Sequence, residues 1–170
     1  RFICMNRVQV QHVVLPSRYL RRNPYLAFSD TVENCPEARS LLASALRTPN
    51  AATRIYPISQ NITTADSHAG TFTAACSVLS YRGMALPDDC YGQAFSCDPT
   101  GNLVHRDILV PAGATFVAER TRARIEFLAS TDDWFRPVFL ANGPDGTLYV
   151  CDMYRKTIEH PQYLPEEIRK

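Results

Sequence analysis

The chain has 170 residues, of which 45% are hydrophobic and 10% aromatic, with 18 Lys and Arg against 17 Asp and Glu. That length is enough for one domain with a sizeable core, and the composition argues against disorder. The net charge of +1 gives no electrostatic reason to expect a nucleic acid as partner. No apolar run approaches the roughly 18–20 residues that cross a bilayer, so we expect no transmembrane segment in this chain.

The two ends of the chain suggest a piece of a longer protein. The sequence opens on Arg1-Phe2-Ile3 within a strand-like pattern and carries no apolar export signal, and it closes on Ile168-Arg169-Lys170. We therefore interpret residues 1–170 as a single partial domain, a fragment of a larger multidomain protein.

The N-terminal part predicts a strand and then a helix. Residues 1–15 are rich in Val, Ile and Phe, which is typical of a half-buried strand. Further along, Pro36 and Glu37 suit a first helical turn, and apolar residues follow at helical spacing from Ala38. The pattern predicts one short amphipathic helix near residues 36–47. Since extended patterns dominate the rest of the chain, we expect this helix to be an insertion between strands.

From residue 54 onward, the sequence alternates short strand-like segments with turns. The turns combine a Pro with Asp, Asn or Gly, which bend the backbone. The candidate strands are residues 54–59, 70–81, 93–97, 103–110, 115–118, 124–129, 138–142 and 147–152. Such strands at this spacing favour an antiparallel all-β fold.

A sequence repeat narrows the fold further. Residues 98–104 align with residues 143–149, so that Pro99 matches Pro144 at an offset of 45. A period of roughly 40–50 residues, with a turn followed by a strand in each unit, is typical of β-propeller blades. At that period the chain corresponds to about three to four blades, so the repeat predicts an incomplete β-propeller.

The cysteines predict neither a metal site nor a particular pairing. They are Cys4, Cys35, Cys76, Cys90, Cys97 and Cys151. None of them form the closely spaced pairs of a zinc or c-type haem motif, so we expect no metal ligands among them. Cys90 and Cys97 would flank a hairpin and form a disulfide if the protein is exported, whereas buried free thiols are equally consistent with the sequence.

Two histidines are candidate catalytic bases. His68 lies in a small-residue stretch that opens a strand, where its imidazole would face a ligand; the alternative is a turn histidine bonded to a nearby carbonyl. His105 and Asp107 are two residues apart on a predicted strand and therefore share one face. A carboxylate beside a histidine orients a general base, but the same pair can also be a structural hydrogen bond between blades.

Arg136 is the third candidate catalytic residue, two positions after Trp134, the only Trp of the chain. At the entry to a strand, its planar guanidinium would bind a carboxylate or a quinone oxygen. The alternative is an arginine that stacks on Trp134 or Phe135, pairs with Asp132 or Asp133, and holds a loop without touching substrate.

Several further polar residues come just after a predicted strand. They are Asp152, Tyr154, Arg155 and His160. In a propeller such connections line the mouth of the axial channel, so these residues, with Asp107 and Trp134, are candidates for binding a substrate or cofactor. A scaffold role is an equal alternative.

Five blocks of the sequence resemble one known family. The blocks are YLRRNP (19–24), HAGTFTAAC (68–76), DPTGNLVHRD (98–107), EFLASTDDWFRP (126–137), and NGPDGTLYVCDMYR (142–155) followed by IEHP (158–161). Together they resemble the membrane-bound dehydrogenase family, also called PVC-type haem-binding proteins. The match runs over most of the chain, and the last block is the most specific.

The resemblance implies an architecture and a location. Members of that family are large exported proteins with an N-terminal β-propeller similar to soluble quinoprotein glucose and sorbosone dehydrogenases, then HEAT-like helical repeats, then a c-type cytochrome domain. The chain would supply later blades of the propeller in a periplasmic or exported, membrane-associated protein. Haem c would be bound only in the separate cytochrome domain of the same parent protein.

The resemblance also implies an activity, the oxidation of a sugar or alcohol by a quinone-type cofactor such as pyrroloquinoline quinone with calcium. His68 or His105 would take the hydroxyl proton and Arg136 would stabilise the reduced quinone, while electrons pass to the cytochrome domain. The alternative is a propeller without chemistry that binds a glycan or a protein partner through the same loops. Fold alone does not decide between the two.

Overall fold

The computed structural model describes residues 2–3, 11–14, 18, 21–22, 25, 32–35, 54–60, 70–112, 115–158 and 166. These residues form antiparallel sheets with almost no helix, which confirms the predicted all-β class. The helix predicted near residues 36–47 lies outside the described residues. Within the described part of the chain, no helix is long and apolar enough to cross a membrane.

The described strands are short, except for one at the centre of the largest sheet. In chain order they are β1 (Phe2–Ile3), β2 (Gln11–Val14), β3 (Val32–Cys35), β4 (Cys76–Ser80), β5 (Ala94–Asp98), β6 (Leu103–Ala112), β7 (Thr115–Arg120), β8 (Leu128–Ala129), β9 (Pro137–Asn142) and β10 (Leu148–Asp152). A single-turn 3-10 helix covers Asp88–Cys90. From β4 onward, these bounds overlap the predicted strands.

The upstream strands differ from the prediction. The single strand predicted over residues 1–15 contains two described strands, β1 and β2, which pair antiparallel with Phe2 opposite Val13. β3 pairs with the other side of β2, so the three form a small sheet. Arg54 forms only an isolated bridge with Thr71, where the sequence predicts a strand over residues 54–59.

The largest sheet has the order β4-β5-β6-β7, and all its pairs are antiparallel. β6 is its central strand, because β5 pairs along one side while β8 and then β7 pair along the other. Leu103 and Val104 pair with β8, and β7 pairs from Asp107 onward. A long strand with neighbours on both sides fixes the register of every residue it carries.

The alternation of side chains along β6 gives the strand one apolar face and one face that carries both apolar and titratable side chains. Val104 packs with Phe95, Cys97 and Leu140 in the main hydrophobic core, to which the β9–β10 hairpin contributes. The opposite face carries Leu103, which packs with Ile55 and Phe72. Since successive residues of a strand point to opposite faces, His105 and Asp107 lie on the Leu103 side. The strand pattern thus places two titratable side chains within a second, smaller core.

The repeated sequence segments occupy corresponding hairpins. Residues 98–104 form the turn between β5 and β6, and residues 143–149 form the turn between β9 and β10. β6 begins at Leu103 and β10 begins at Leu148, which preserves the offset of 45. The two hairpins belong to different sheets.

Tyr81 links the β9–β10 hairpin to the sheet that contains β4. Its hydroxyl is fully buried, donates to the carbonyl oxygen of Gly146 and accepts hydrogen bonds from the amides of Ala85 (3.1 Å) and Leu86 (3.0 Å). Gly83 lies so close that a Cβ there would be 1.9 Å from the Gly146 oxygen. Only a glycine permits this approach of two backbones, so the turn between β9 and β10 is held at the end of β4.

Candidate functional site

A buried charge cluster lies on the Leu103 side of β6. Its centre is His105, whose Nδ1 lies 2.6 Å from Glu126 Oε2 and whose Nε2 lies 2.9 Å from Asp107 Oδ1. The side chains of His105 and Glu126 are 2% and 0% exposed. The prediction that His105 and Asp107 share a face and interact is confirmed. Glu126, which the sequence analysis did not select, is the second partner.

The buried charge cluster extends to two further chain segments. Arg120, at the end of β7, places Nη1 3.1 Å from Glu126 Oε1, and the amide of Tyr56 donates to the same oxygen at 3.0 Å. The other terminal nitrogen of Arg120 donates to the carbonyl oxygen of Arg54. The Arg120 guanidinium also lies 5.1 Å from the centroid of the Tyr56 ring. The buried charge cluster therefore joins the central sheet to residues 54–56 and to the β7–β8 connection. Its members are Tyr56, His105, Asp107, Arg120 and Glu126.

The electrostatics of the cluster favour a protonated imidazole. Burial disfavours the charged form, but Asp107 and Glu126 outweigh it and raise the pKa of His105 from 6.5 to about 9. For Glu126, burial acts to raise the pKa, and the hydrogen bond and charge of His105, together with Arg120, lower it overall. Phe72 meets the His105 ring edge-on, with centroids 5.4 Å apart, and closes its apolar side.

This geometry bears on the catalytic role predicted for His105. With both ring nitrogens bonded to carboxylates and the imidazole protonated at neutral pH, there is no lone pair to accept a substrate proton. The arrangement matches the structural alternative raised from the sequence. The general-base role stays a prediction that would require the imidazole to lose both a proton and a carboxylate partner.

Arg136 directly precedes β9 and is fully buried. Its Nε donates to the carbonyl oxygen of Arg155 at 2.8 Å and its Nη1 donates to that of Pro99 at 2.8 Å, while Nη2 donates to that of Lys156. The guanidinium thus ties the β5–β6 turn to the segment after β10. Of the two roles considered from the sequence, the loop-holding one fits, although these partners are main-chain carbonyls; binding of a quinone or a carboxylate stays a prediction.

An aromatic platform covers this region at the surface. Trp134 and Tyr154 are 44% and 59% exposed, with ring centroids 5.7 Å apart and planes at 39°. Asp132 Oδ1 accepts from the Trp134 amide at 2.9 Å, and Asp152 Oδ1 accepts from the Tyr154 amide at 2.8 Å. The Arg155 amide donates to the Trp134 carbonyl at 3.0 Å. We use the name aromatic platform for Trp134 and Tyr154 with Asp132 and Asp152.

Two buried donors hold the aromatic platform from below. Asn102, in the β5–β6 turn, donates from Nδ2 to the carbonyl oxygens of Phe135 (2.6 Å) and Asp133 (3.4 Å), on either side of Trp134. Arg136 binds the carbonyl of Arg155, next to Tyr154. Each aromatic residue is therefore flanked by a backbone carbonyl bonded to a buried side chain, which limits the freedom of the platform to rearrange.

The side chains around the Tyr154 ring include several carboxylates. The negative charge of Asp132 is the largest cause of a raised pKa at the Tyr154 hydroxyl, and the hydrogen bond between these two side chains is the next. The charges of Asp152 and Asp133 raise the pKa further. These carboxylates all disfavour the ionised form of the Tyr154 hydroxyl.

The predicted site residues fall into three groups. Trp134, Asp152, Tyr154 and Arg155 come together at the surface, with Arg136 beneath them. His105 and Asp107 belong to the buried charge cluster. His68 and His160 lie outside the described residues, so their roles stay predictions.

Asp98 is a further buried titratable residue that the sequence analysis did not select. Burial raises its pKa to about 6, and the backbone amides of Thr73 and Thr100, which donate to its carboxylate, oppose this rise. In the described ranges, no group of three or more His, Cys, Asp or Glu side chains is arranged to hold a metal ion.

Comparison with known proteins identifies a family but no function. Residues 1–170 match the family described as a domain of unknown function, DUF7133. No curated protein matches the chain, and no solved structure matches it. The dehydrogenase resemblance and the activity it implies therefore stay predictions.

The raised pKa of His105 predicts a loss of stability at alkaline pH. The pKa of His105 is about 9 in the folded chain and 6.5 in the unfolded chain. The stabilisation that the protonated imidazole gives the folded state is therefore fully present below pH 6.5 and is lost as pH rises through 9. We expect the free energy of unfolding in urea to fall by on the order of 3 kcal/mol across this window. In Glu126→Gln, NMR titration of the imidazole should give a lower His105 pKa. A wild-type His105 pKa at or below 6.5 would contradict the network.

Substitution of Arg136 tests its role as a structural residue. In Arg136→Lys, we expect the free energy of unfolding to fall by about 3 kcal/mol or more, since a lysine ammonium lacks the planar fork that reaches carbonyls in two segments. Arg124→Lys, at an exposed arginine, is the matched control and should change stability by less than about 0.5 kcal/mol. Equal stability of Arg136→Lys and wild type in urea unfolding would rule out this role.

Proposed function

The chain belongs to the DUF7133 family, and we propose that it is a saccharide-binding module that recognises a neutral sugar or glycan on the aromatic platform. The observation that carries the proposal is the pair of exposed rings, Trp134 and Tyr154, beside the carboxylates of Asp132 and Asp152. This is the binding alternative raised from the sequence, assigned now to specific residues.

The chemistry of the aromatic platform suits a saccharide. A pyranose has an apolar face of C–H groups that stacks on an aromatic ring, and hydroxyls around its edge that donate to carboxylates. Exposed apolar side chains bordered by polar groups are typical of interaction surfaces. Because Asn102 and Arg136 hold the backbone beneath both rings, binding requires little ordering of the protein.

Charge defines the class of sugar. Asp132, Asp133 and Asp152 all act to raise the pKa of the Tyr154 hydroxyl, so an anionic sugar placed there would meet repulsion. A neutral sugar avoids this cost and still offers hydroxyl donors. We therefore expect neutral hexoses or their oligomers to bind more tightly than uronic acids.

For the surrounding fold, we propose an incomplete β-propeller of about three to four blades. Its support is the pair of hairpins that recur at an offset of 45 residues in two different sheets, together with the antiparallel order β4-β5-β6-β7. In this arrangement the loop carrying Trp134 and the segment after β10 would belong to one rim of the propeller.

The oxidoreductase hypothesis is a second candidate, favoured by the His105–Asp107 pair and by the resemblance of the sequence. The two described catalytic candidates, Arg136 for the reduced quinone and His105 for the hydroxyl proton, do not fit these roles. Arg136 is fully buried and donates to main-chain carbonyls, and His105 is bonded at both nitrogens. No step through a quinone follows from these residues, and the catalytic base of this hypothesis would then be His68, which lies outside the described part of the chain.

The saccharide proposal is tested by titrating neutral and anionic sugars while following the fluorescence of Trp134, the only Trp in the chain. We expect a neutral sugar to shift the emission, and Tyr154→Ala to weaken its binding at least tenfold. Tyr91→Ala, at a tyrosine of similar exposure outside the platform, should bind as wild type does.

Two outcomes would contradict the proposal: no response to any neutral sugar or glycan, or unchanged affinity in Tyr154→Ala. Dye reduction by the chain supplied with pyrroloquinoline quinone, calcium and a sugar would support the oxidoreductase hypothesis instead.

A further inference from the structure

Two cysteines face each other across the β4–β5 pair. Cys76 and Cys97 are register partners in this antiparallel ladder; Cys97 belongs to the main hydrophobic core, and Cys76 packs against it. Directly opposed residues of antiparallel strands have Cα atoms about 4.5–5.5 Å apart, which is within the range that a disulfide spans. Neither cysteine is in a disulfide in the structure, and their side chains interact through a hydrogen bond.

The two thiols differ in a way that suits stepwise oxidation. Cys97 is fully buried, whereas Cys76 is half-buried on β4 and so is open to a reagent from solvent. The hydrogen bond from Cys97 lowers the pKa of Cys76, although burial and the charge of Asp98 act against it. A more accessible thiolate with a second thiol beside it is the arrangement of an attacking and a resolving cysteine.

Cys90 and Cys151 do not share this arrangement. Cys90 lies in the same core but precedes β5, in the 3-10 helix, and burial raises its pKa. Cys151 is exposed on β10, where Phe139 is its register partner. The pairing of Cys90 with Cys97 considered from the sequence is thus less favoured by the strand register than the pairing of Cys76 with Cys97.

We propose that Cys76 and Cys97 form a reversible disulfide between β4 and β5, which makes this pair a redox modification site of the chain. The oxidant is a disulfide compound such as oxidised glutathione. The Cys76 thiolate attacks one of its sulfurs, forms a mixed disulfide and releases one thiolate. The Cys97 thiolate then attacks the Cys76 sulfur, forms the protein disulfide and releases the second thiolate. Two protein thiols are oxidised, one disulfide is reduced, and two small thiols leave with the two protons.

The position of the pair gives the bond a structural consequence. β4 lies at the edge of its sheet, and its next residue, Ser77, has a positive φ of 51° in a bulge. The Ser77 hydroxyl oxygen accepts from the amide of Leu140 on β9 at 2.8 Å. A bond at Cys76 therefore fixes the edge strand on which the β9–β10 hairpin packs, and it closes a loop in the unfolded chain.

The test exposes the wild-type chain to oxidised glutathione, blocks the remaining thiols, and identifies linked peptides by mass spectrometry before and after dithiothreitol. We expect a Cys76–Cys97 linkage that dithiothreitol removes, and a Tm roughly 5–10 °C higher in the oxidised chain. Cys76→Ser should abolish both effects, and Cys90→Ser should retain both. Linkage of Cys97 to Cys90, or only glutathione adducts at Cys76, would overturn the proposal, and neither result depends on the folding of a variant.

Discussion

A positive charge buried between two carboxylates is the interaction on which the described structure depends. His105 lies on the central strand and bonds Asp107 on its own strand and Glu126 from the β7–β8 connection, while Arg120 neutralises the second carboxylate. Breaking one partner of such a group leaves an uncompensated charge in the core, at a cost of about 3–5 kcal/mol. The cluster therefore locks the relative positions of segments that are up to 70 residues apart in the chain.

The polar groups of the chain divide into those that hold the fold and those that face solvent. His105 and Arg136 carry the chemistry most often associated with catalysis, yet both are buried and their nitrogens are bonded within the protein. Trp134 and Tyr154 are exposed, and the backbone beside them is held by the buried side chains of Asn102 and Arg136. A rigid scaffold beneath an exposed aromatic pair fits recognition of a ligand at the surface better than proton transfer in the interior.

Local signals in the sequence account for the elements that were predicted correctly. The turns at residues 98–102 and 143–147 contain their own Pro, Asp and Gly, so the hairpins around them follow from neighbouring residues. The His105–Asp107 contact follows from the two-residue period of a strand. Glu126 was missed because it contacts residues that are distant in the sequence, and such contacts produce no periodic pattern. The partners of Arg136 were missed because backbone carbonyls have no signature in the sequence.

The His105 imidazolium and the Glu126 carboxylate stabilise each other within the buried charge cluster. A double-mutant cycle measures this directly, with His105→Gln, Glu126→Gln and the double variant unfolded in urea at pH 7 and again at pH 10. We expect a coupling free energy of about 1–3 kcal/mol at pH 7 that falls sharply at pH 10, where the imidazole is neutral. A coupling below about 0.5 kcal/mol at pH 7, or one that is equal at the two pH values, would contradict it.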